Sequence, residues 1–293
     1  MKDRECGYII LIMNILVTGA CGRVGRHVVA ELEQGHSIRL WGRVPPEERR
    51  GGGKSKHPFM KGDLLDADSL RRAVEGMDAV AHLAANPWFS ATTFLTNAVG
   101  TYNILEACRA AGIKRFVMAG SDWGVAKSDR RANPPRYVPV DEEHPVRPND
   151  EYGLSKAVNE VTAEMYAREY GMECAVMRIT GVWEPGNTEK YAKADKTTTA
   201  ADEVKFWWAY VDGRDVARAF RMAIEARDLP RYGTYFLSAS DTTIEEPTMD
   251  AVRKFWPGVG VKREIPGNTG VLSVDAARKG FGFEPVHSWR NYR

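Results

Sequence analysis

The chain has 293 residues, of which 43% are hydrophobic and 27% are charged. This length allows one large domain, or one domain with a small additional lobe. With 41 basic and 39 acidic residues, the formal net charge is only +2, which gives no basic footprint of the kind that nucleic acid requires. We therefore expect a globular protein whose partner is a small molecule, with neither nucleic acid nor membrane as a partner.

Residues 7–17 (GYIILIMNILV) form an apolar run that is too short to span a membrane. The run is similar to a signal-peptide core, but its second half is needed as the first strand of the fold. We interpret residues 1–12 as an N-terminal extension, with either Met1 or Met13 as the natural start. The cysteines have neither disulfide nor zinc-site spacing, so we expect reduced thiols, no metal and a cytoplasmic location. They are Cys6, Cys21, Cys108 and Cys174.

Short apolar runs alternate with stretches of helical spacing as far as residue 180. We predict strands at 14–18, 37–41, 79–84, 115–119 and 173–179, a short strand ending at Asp63, and helices at 25–34, 68–75, 92–111 and 152–170. Beyond these, residues 216–226, 234–237 and 249–255 are predicted as a helix, a strand and a helix, and 44–58 and 188–201 as loops. The alternation predicts an α/β fold, a Rossmann-type doubly wound parallel sheet over residues 13–180. Residues 181–293 would form a smaller C-terminal substrate lobe, interleaved with the main domain.

A glycine-rich turn lies between the first predicted strand and the first helix. It reads Gly19-Ala20-Cys21-Gly22-Arg23-Val24-Gly25. Glycines let the backbone turn tightly and approach a pyrophosphate, and the last glycine lets helix and strand pack closely. The helix N-terminus adds amide groups and the positive end of its dipole. This position favours a dinucleotide site over a merely structural turn.

The end of the second strand indicates which dinucleotide binds. Direct recognition of a ribose 2′-hydroxyl uses a carboxylate there, but the chain has Gly42 and Arg43. Gly42 leaves room for a 2′-phosphate, and Arg43, helped by Arg23, is suited to pair with it. We therefore expect NADP in preference to NAD, with a solvated Arg43 as the alternative.

Tyr152 and Lys156 form a Y-x-x-x-K pair at the start of a predicted helix. Residues four apart share one helical face, so the spacing places an ammonium near a phenol. We expect this cation to lower the pKa of Tyr152 toward neutrality, where a general acid–base works best. The pair would then move a proton to or from a carbinol oxygen while hydride moves to or from a nicotinamide. The Y-x-x-x-K motif is common. Taken alone, its alternative interpretation is a solvated helix face without a catalytic role.

Taken together, these segments make the chain similar to the extended short-chain dehydrogenase/reductase family, also called NAD-dependent epimerase/dehydratase. The resemblance spans about residues 13–290 and follows the family's order of motifs. The motifs are ILVTGACGRVG (15–25), GDLLD (62–66), HLAA (82–85), NAVGTYNILEAC (97–108), FVMAGSDWGV (116–125), YGLSK (152–156) and GRDVARA (213–219).

The resemblance implies roles for individual residues. Ser121 would hydrogen-bond the reacting oxygen, Lys156 would also hold the nicotinamide ribose, and Asp63 would lie by the adenine or act only as a strand-end cap. Asn97 would lie near the active site, or would only form hydrogen bonds with the backbone. With the catalytic set Ser121, Tyr152 and Lys156, the expected cofactor-binding residues are Gly19, Cys21, Gly22, Arg23, Val24, Gly25, Arg43, Asp63, Leu64, Leu83, Ala84, Ala85, Asn97, Tyr152, Lys156 and Ile179. The expected substrate-binding residues are Ser121, Asp122, Trp123, Thr180 and Trp207.

The departures from the family pattern bear on the substrate. Nucleotide-sugar epimerases tend to have R-x-x-N-V-Y-G-P after their sixth strand, whereas here Gly181 and Glu184 replace the asparagine and the glycine. The segments around Ser121 and Thr180 are similar to those of hexuronate dehydrogenases. An aromatic cluster (Trp207, Trp208 and Tyr210) indicates either a sugar-binding face or core packing. A set of lysines (Lys190, Lys193, Lys196 and Lys205) indicates a solvated loop, or else a site for an acidic group.

Three hypotheses follow for the function. The first is an oxidoreductase acting on a sugar, a sugar acid or a similar secondary alcohol, with net turnover of NAD(P). The second is a nucleotide-sugar epimerase or dehydratase with tightly bound NAD, and the third is a non-catalytic, NADP-binding regulator. The complete set of Ser121, Tyr152 and Lys156 argues against the third. By resemblance, the helices at 92–111 and 152–170 would pair with those of a second copy, so a homodimer is expected.

Overall fold

Eleven strands and nine α-helices are formed by the described residues of the computed structural model, which are 11–49, 53–87, 90–125, 134–193 and 199–292. The strands are β1 (Asn14–Thr18), β2 (Ser37–Gly42), β3 (Phe59–Lys61), β4 (Ala79–His82), β5 (Arg115–Ser121), β6 (Tyr137–Val138), β7 (Glu173–Ile179), β8 (Val182–Trp183), β9 (Val211–Asp212), β10 (Tyr232–Leu237) and β11 (Gly260–Val261). The helices are α1 (Gly25–Leu32), α2 (Ala67–Val74), α3 (Gly100–Ala110), α4 (Glu151–Tyr170), α5 (Pro185–Lys193), α6 (Ala200–Glu203), α7 (Gly213–Glu225), α8 (Thr248–Phe255) and α9 (Asp275–Phe281).

The main sheet contains seven strands in the order β10-β7-β5-β4-β1-β2-β3. All of its pairings are parallel. The direction of winding reverses between β1 and β4, so a crevice opens at the carboxyl ends of these two strands. In open α/β sheets, such a switch point is where ligands bind. The predicted Rossmann-type α/β fold is confirmed.

Apolar layers cover both faces of this sheet. Buried residues of α1 and α7 pack on one face with alternate side chains of the strands, such as Ile15 and Val17. Residues of α2, α3 and α4 pack on the other face with the intervening side chains, such as Leu16. Because both faces are buried, the strands read in the sequence as continuous apolar runs.

The C-terminal part of the chain contributes to two regions of the molecule. Its strand β10 pairs with β7 in the main sheet, and α7 packs against α1. A third apolar cluster joins α8 to residues 138–140, 204–209 and 265–272. Within the described ranges, no helix is long and apolar enough to cross a membrane.

Several predicted elements match the structure closely, and one prediction is wrong. Strands 14–18 and 173–179 have the predicted bounds, and the predicted helix 92–111 becomes a π-helical turn (Leu95–Val99) followed by α3. Residues 188–201 were expected in a loop, but 188–193 belong to α5 and 200–201 to α6. The polar helix α5 is held by tertiary contacts: the Tyr191 ring lies 5.5 Å from that of Trp289, and the Thr188 hydroxyl donates to Asp212 (2.8 Å).

Candidate active site

A cleft opens where β1, β2, β3 and β4 end, at the switch point of the sheet. It encloses about 130 Å³. Nine of the predicted cofactor-binding residues line it: Gly19, Cys21, Gly22, Arg43, Asp63, Leu64, Leu83, Ala84 and Ala85. Sequence reasoning assigned no cofactor contact to Trp41, Val44, Arg49 and Thr96, which also line the cleft. The other seven predicted residues are not among the lining residues: Arg23, Val24, Gly25, Asn97, Tyr152, Lys156 and Ile179.

The glycine turn has the geometry that a pyrophosphate site needs. Gly19 adopts a φ of +67°, and a Cβ there would lie 2.6 Å from the Ala84 backbone nitrogen. A Cβ on Gly25 would lie 2.2 Å from the Gly19 carbonyl oxygen, so the helix start packs directly on the turn. The loop thus leaves its backbone bare toward the cleft at the N-terminus of α1, which fits the diphosphate of a dinucleotide.

Two arginines lie beside the end of β2. Arg43 and Arg49 both line the cleft next to Gly42, around which a Cβ would meet no atom within 4 Å. Arg49 follows a single 3₁₀ turn (Pro46–Glu48) that returns the chain toward the glycine loop, and its charge acts on Cys21. Sequence reasoning assigned Arg49 no role because it lies in a proline-rich, charged loop. Its charge, the second after β2 besides Arg43, was nevertheless a sign of a cationic site there.

The three predicted catalytic side chains converge at the carboxyl end of β5. Ser121 ends this strand, and α4 begins at Glu151 with Asp150 as its N-cap, accepting from the Gly153 amide at 2.7 Å. Ser121 is near enough to Tyr152 to lower the pKa of its phenol, and the Lys156 Nζ lies 5.7 Å from the centroid of the Tyr152 ring. The Lys156 ammonium donates to the Ala119 carbonyl oxygen at 2.8 Å.

The electrostatics of this trio differ from the expectation. Burial raises the pKa of Tyr152 to about 12; the nearby Ser121 side chain opposes this rise, and the carboxylates of Asp122 and Asp150 add to it. The predicted net lowering of the Tyr152 pKa toward neutrality is therefore wrong for this structure, because desolvation of the phenolate outweighs the favourable effect of a nearby cation. Burial also lowers the pKa of Lys156 to about 8, against an opposing effect of Glu160.

Asn97 lies behind the cleft and does not line it. Its side chain is buried; the carboxamide oxygen accepts from the Asn86 amide (2.7 Å), and the nitrogen donates to the Asn86 carbonyl (3.1 Å) and to Ser155 (3.0 Å). The prediction of a direct cofactor contact is corrected accordingly, since these bonds occupy the amide. Asn97 ties the chain after β4 to the helix that carries Tyr152.

A buried threonine–histidine network that sequence reasoning missed supports the switch point. The Thr18 hydroxyl bonds His82 Nδ1 at 2.7 Å and accepts from the amides of Leu83 and Ala84, both at 3.2 Å. His82 Nε2 lies 3.3 Å from the Thr101 hydroxyl. Burial, with help from the Lys156 charge, lowers the pKa of His82 to about 3, so the imidazole is neutral. The network fixes the segment that lines the cofactor path.

The predicted substrate-binding residues occupy two different regions. Asp122 and Trp123 follow Ser121 in a 3₁₀ turn, and the Trp123 ring meets the Tyr152 ring edge-on at 6.1 Å. Ile179, predicted to contact the cofactor, pairs in register with Ser121, so Thr180 comes just after the neighbouring strand end. Thr180 is buried, and its hydroxyl has no hydrogen-bond partner among the described residues.

Trp207 belongs to the core and not to a substrate-facing surface. It is 1% exposed, and its ring packs edge-on against Trp256 (6.1 Å) and His144 (6.2 Å). Trp208 is fully buried and donates from Nε1 to the Ala200 carbonyl at 2.8 Å; Tyr210 is also buried. The prediction that Trp207 binds substrate is wrong, because the indole is enclosed by other side chains.

Glu184, the residue that departs from the family pattern, contacts the helix after the glycine turn. It accepts from His27 Nε2 at 2.8 Å and forms an ion pair with Arg26. The chain after β8 is thereby fixed to the first turn and a half of α1. Of the predicted lysine set, Lys190 and Lys193 lie on α5, Lys205 follows α6, and Lys196 lies outside the described residues, as does Cys6.

Comparison with known proteins agrees with this geometry. Residues 15–237 match the model of the NAD dependent epimerase/dehydratase family. L-arabinose 1-dehydrogenase (NAD(P)(+)) of Haloferax volcanii is 34% identical over 228 residues, which cover 73% of this chain and 83% of that protein. A short-chain dehydrogenase/reductase superfamily protein of Agrobacterium tumefaciens, solved with bound NAD, superposes with a TM-score of 0.70 at 25% identity, covering 95% of this chain and 94% of that one.

A third likeness concerns the fold alone. Glucuronic acid dehydrogenase of Chromohalobacter salexigens has a TM-score of 0.68 at 22% identity, covering 96% of this chain and 87% of its own. The chain belongs to the NAD-dependent epimerase/dehydratase family, that is, to the extended short-chain dehydrogenases/reductases. It is an enzyme that uses a nicotinamide dinucleotide.

Proposed function

We propose that this enzyme is a dehydrogenase that oxidises a secondary alcohol of a monosaccharide or sugar acid with net turnover of NADP⁺. The observation that carries the proposal is the convergence of Ser121, Tyr152 and Lys156 at the carboxyl end of β5. This strand pairs with β4, and the residues that follow β4 line the dinucleotide cleft. The name of one similar protein, the L-arabinose 1-dehydrogenase of Haloferax volcanii, supports the substrate class.

The chemistry follows from the roles of these side chains. A nicotinamide dinucleotide held by the glycine turn and the residues after β4 would supply the hydride acceptor for the carbon-bound hydrogen of the alcohol. Tyr152, as phenolate, takes the hydroxyl proton, so that the carbinol becomes a carbonyl and atoms and electrons balance. Ser121 donates a hydrogen bond to the substrate oxygen, and the positive charge of Lys156 favours the phenolate. In the reverse direction, Tyr152 returns its proton to the carbonyl oxygen.

The preference for NADP rests on the end of β2. The strand ends in Gly42, with open space where a side chain would lie, and Arg43 and Arg49 flank that space. A 2′-phosphate carries two negative charges and accepts charge-assisted hydrogen bonds from guanidinium groups. Asp63 also lines the cleft, beyond the neighbouring strand β3.

The substrate side of the site favours a free sugar over a nucleotide sugar. Gly181 is exposed, and a Cβ there would meet nothing closer than the Ala209 carbonyl oxygen at 3.8 Å. Glycine at this position therefore offers no side-chain carboxamide to a nucleotide sugar. Trp123, beside Tyr152, supplies an aromatic surface of the kind that packs on a sugar ring. In this proposal, the smaller C-terminal lobe covers the substrate.

We also propose that the enzyme acts as a homodimer. The π-helical turn (Leu95–Val99) and the neighbouring helices α3 and α4 carry a surface of exposed apolar side chains, formed by Leu95, Val99, Tyr102, Leu154 and Val161. These residues recur at helical spacing, and such a surface is typical of a helix–helix interface. A cytoplasmic location is proposed from the cysteines: among the described residues, Cys21, Cys108 and Cys174 are free thiols.

The test is net turnover of cofactor. Purified protein is mixed with NADP⁺ or NAD⁺ and a panel of free aldoses, uronic acids and nucleotide sugars, and absorbance of the reduced nicotinamide is followed. We expect reduced cofactor to accumulate with a free sugar or sugar acid, faster with NADP⁺, and Tyr152→Phe protein to serve as the inactive control.

Epimerised or dehydrated nucleotide sugar, detected by chromatography without net reduction of cofactor, would overturn the dehydrogenase proposal in favour of internal recycling of the nicotinamide.

A further inference from the structure

A buried ion pair lies directly behind the catalytic lysine. Arg178 on β7 donates through Nε and Nη2 to the two carboxylate oxygens of Glu160 on α4, at 2.9 and 2.8 Å. Both side chains are almost fully buried, 4% and 6% exposed. Arg178 also donates to the Glu142 carbonyl (3.2 Å), and its guanidinium lies 5.4 Å from the Phe236 ring centroid. The pair is thus held in one geometry, out of contact with water.

Glu160 lies one helical turn beyond Lys156 on the same face of α4. Residues four apart on a helix are neighbours, and Glu160 raises the pKa of Lys156 against the lowering that burial causes. The two charges therefore interact through a medium from which water is excluded, where Coulomb energies are larger than at the surface.

The other groups around Lys156 do not duplicate this effect. Its ammonium donates to the Ala119 carbonyl on β5 and lies near the ring of Tyr152 on its own helix. On β4, His82 faces it as a neutral imidazole, with a pKa of about 3. On the 3₁₀ turn after β5, Asp122 acts on Tyr152. Glu160 is the anion that acts on Lys156.

Arg178 opposes Glu160 in this role. Its guanidinium bonds both carboxylate oxygens of Glu160, so its positive charge reduces the field that Glu160 exerts at Lys156, while Glu160 still raises the pKa of Lys156. A neutral buried pair of this kind acts on a third charge as an oriented dipole, with its negative end toward the lysine.

We propose that Glu160 and Arg178 are positioning residues that set the charge state of Lys156, with Glu160 retaining the ammonium and Arg178 limiting that effect. The coupling is a property of the fold, whereas its consequence for turnover rests on the proposed function. Neither residue contacts the reacting atoms in this scheme.

Replacing Glu160 and replacing Arg178 are predicted to shift the pKa of Lys156 in opposite directions, which a purely structural ion pair would not show. Glu160→Gln should lower the pKa of Lys156 by about one unit or more, because the nearby anion is removed and Arg178 is left. Arg178→Gln should raise it, because Glu160 then acts alone. Glu164→Gln, one turn further on and exposed, should leave it unchanged.

The measurement is an NMR titration of the full-length protein labelled at lysine Cε, with the Lys156 signal assigned by its loss in Lys156→Arg. Removing one partner of a buried pair is destabilising, so Glu160→Met/Arg178→Met provides a variant that retains the packing. In it, the pKa of Lys156 should fall, but less than in Glu160→Gln. No shift in the double variant, or shifts in the same direction for both single variants, would overturn the proposal.

Activity then separates this proposal from the proposed function. The pH dependence of kcat/KM, measured on the same variants, should move with the NMR titration of Lys156. A profile that stays fixed while the NMR titration shifts would contradict the catalytic role assigned to Lys156, and would leave the electrostatic coupling established.

Discussion

Tyr152 combines a buried phenol with two nearby carboxylates, and its pKa of about 12 follows from that environment. At neutral pH the group keeps its proton, which suits donation to a carbonyl. Oxidation of an alcohol needs the phenolate instead, and below the pKa the phenolate fraction rises about tenfold for each pH unit. Lys156, with a pKa of about 8, loses its charge in the same alkaline range.

We therefore predict that alcohol oxidation accelerates as pH rises and that the increase flattens above about pH 8. The first trend reflects formation of the Tyr152 phenolate, and the second reflects loss of the Lys156 ammonium that favours it. Measurement of kcat/KM from about pH 6 to 9.5 checks this prediction. A rate that falls steadily across this range would contradict it.

Replacement of the phenol should remove catalysis without removing binding. We expect Tyr152→Phe to lower kcat/KM by about 10²- to 10⁴-fold, the usual contribution of a general acid–base, while the dissociation constant of NADPH stays close to that of the unaltered enzyme. Tyr170→Phe, at the exposed end of the same helix, is the matched control. Equal turnover by Tyr152→Phe and the control would refute the assignment.

The two arginines at the end of β2 give a prediction on cofactor choice. Arg43→Ala and Arg49→Ala should each weaken NADPH binding by about tenfold, the value of one charge-assisted hydrogen bond, and leave NADH binding little changed. Fluorescence titration with both cofactors measures the ratio. Arg72→Ala, on the exposed surface of α2, is the control, and equal losses for the two cofactors would exclude a 2′-phosphate site here.

At the scale of elements, the contact between the glycine turn and α1 is tight enough to test directly. A methyl group at position 25 would overlap the Gly19 carbonyl oxygen. Gly25→Ala should therefore cost about 1–3 kcal/mol in the free energy of unfolding and weaken binding of either dinucleotide. Urea unfolding and cofactor titration check both effects, with Gly35→Ala as control because a Cβ there meets nothing within 4 Å. Identical behaviour of the two variants would contradict the close packing.

The elements that sequence reasoning predicted well are those whose pattern is local. Strands such as 14–18 are continuous apolar runs because both faces of the sheet are covered. The polar helix α5 escaped prediction because distant residues, Asp212 and Trp289 among them, hold it. Trp207 was ambiguous for a related reason: an indole suits a sugar face and a core equally well, and only its neighbours decide.

The candidate site shows the same division between features that follow from local sequence patterns and features that depend on long-range contacts. Ser121, Tyr152 and Lys156 carry motifs with fixed spacing, and the structure brings them together. The raised pKa of Tyr152 was not predictable, since it depends on burial by residues far apart in the chain. Glu160 and Arg178, 18 residues apart in sequence, meet only because α4 packs on β7.

At the scale of the whole molecule, the apolar surface on α3 and α4 predicts the oligomeric state. Val161, on α4, is 67% exposed. Val161→Glu should convert the proposed dimer to a monomer, because an interface that buries two such carboxylates is strongly disfavoured. Sedimentation velocity measures the change. Val286→Glu, 51% exposed and outside α3 and α4, should sediment like the unaltered protein, and a monomer in all three samples would overturn the dimer.

The order of the sheet also determines when this protein can fold during synthesis. The helix that carries the glycine turn packs on α7, and β7 gains its second neighbour only from β10. A nascent chain ending near residue 180 would present β7 as an open edge and α1 without its partner, both of which invite aggregation. The main sheet, and the packing of α1 against α7, are therefore completed only after residue 237 has left the ribosome, which makes burial of the sheet edge at β7 a late event in the life of the nascent chain.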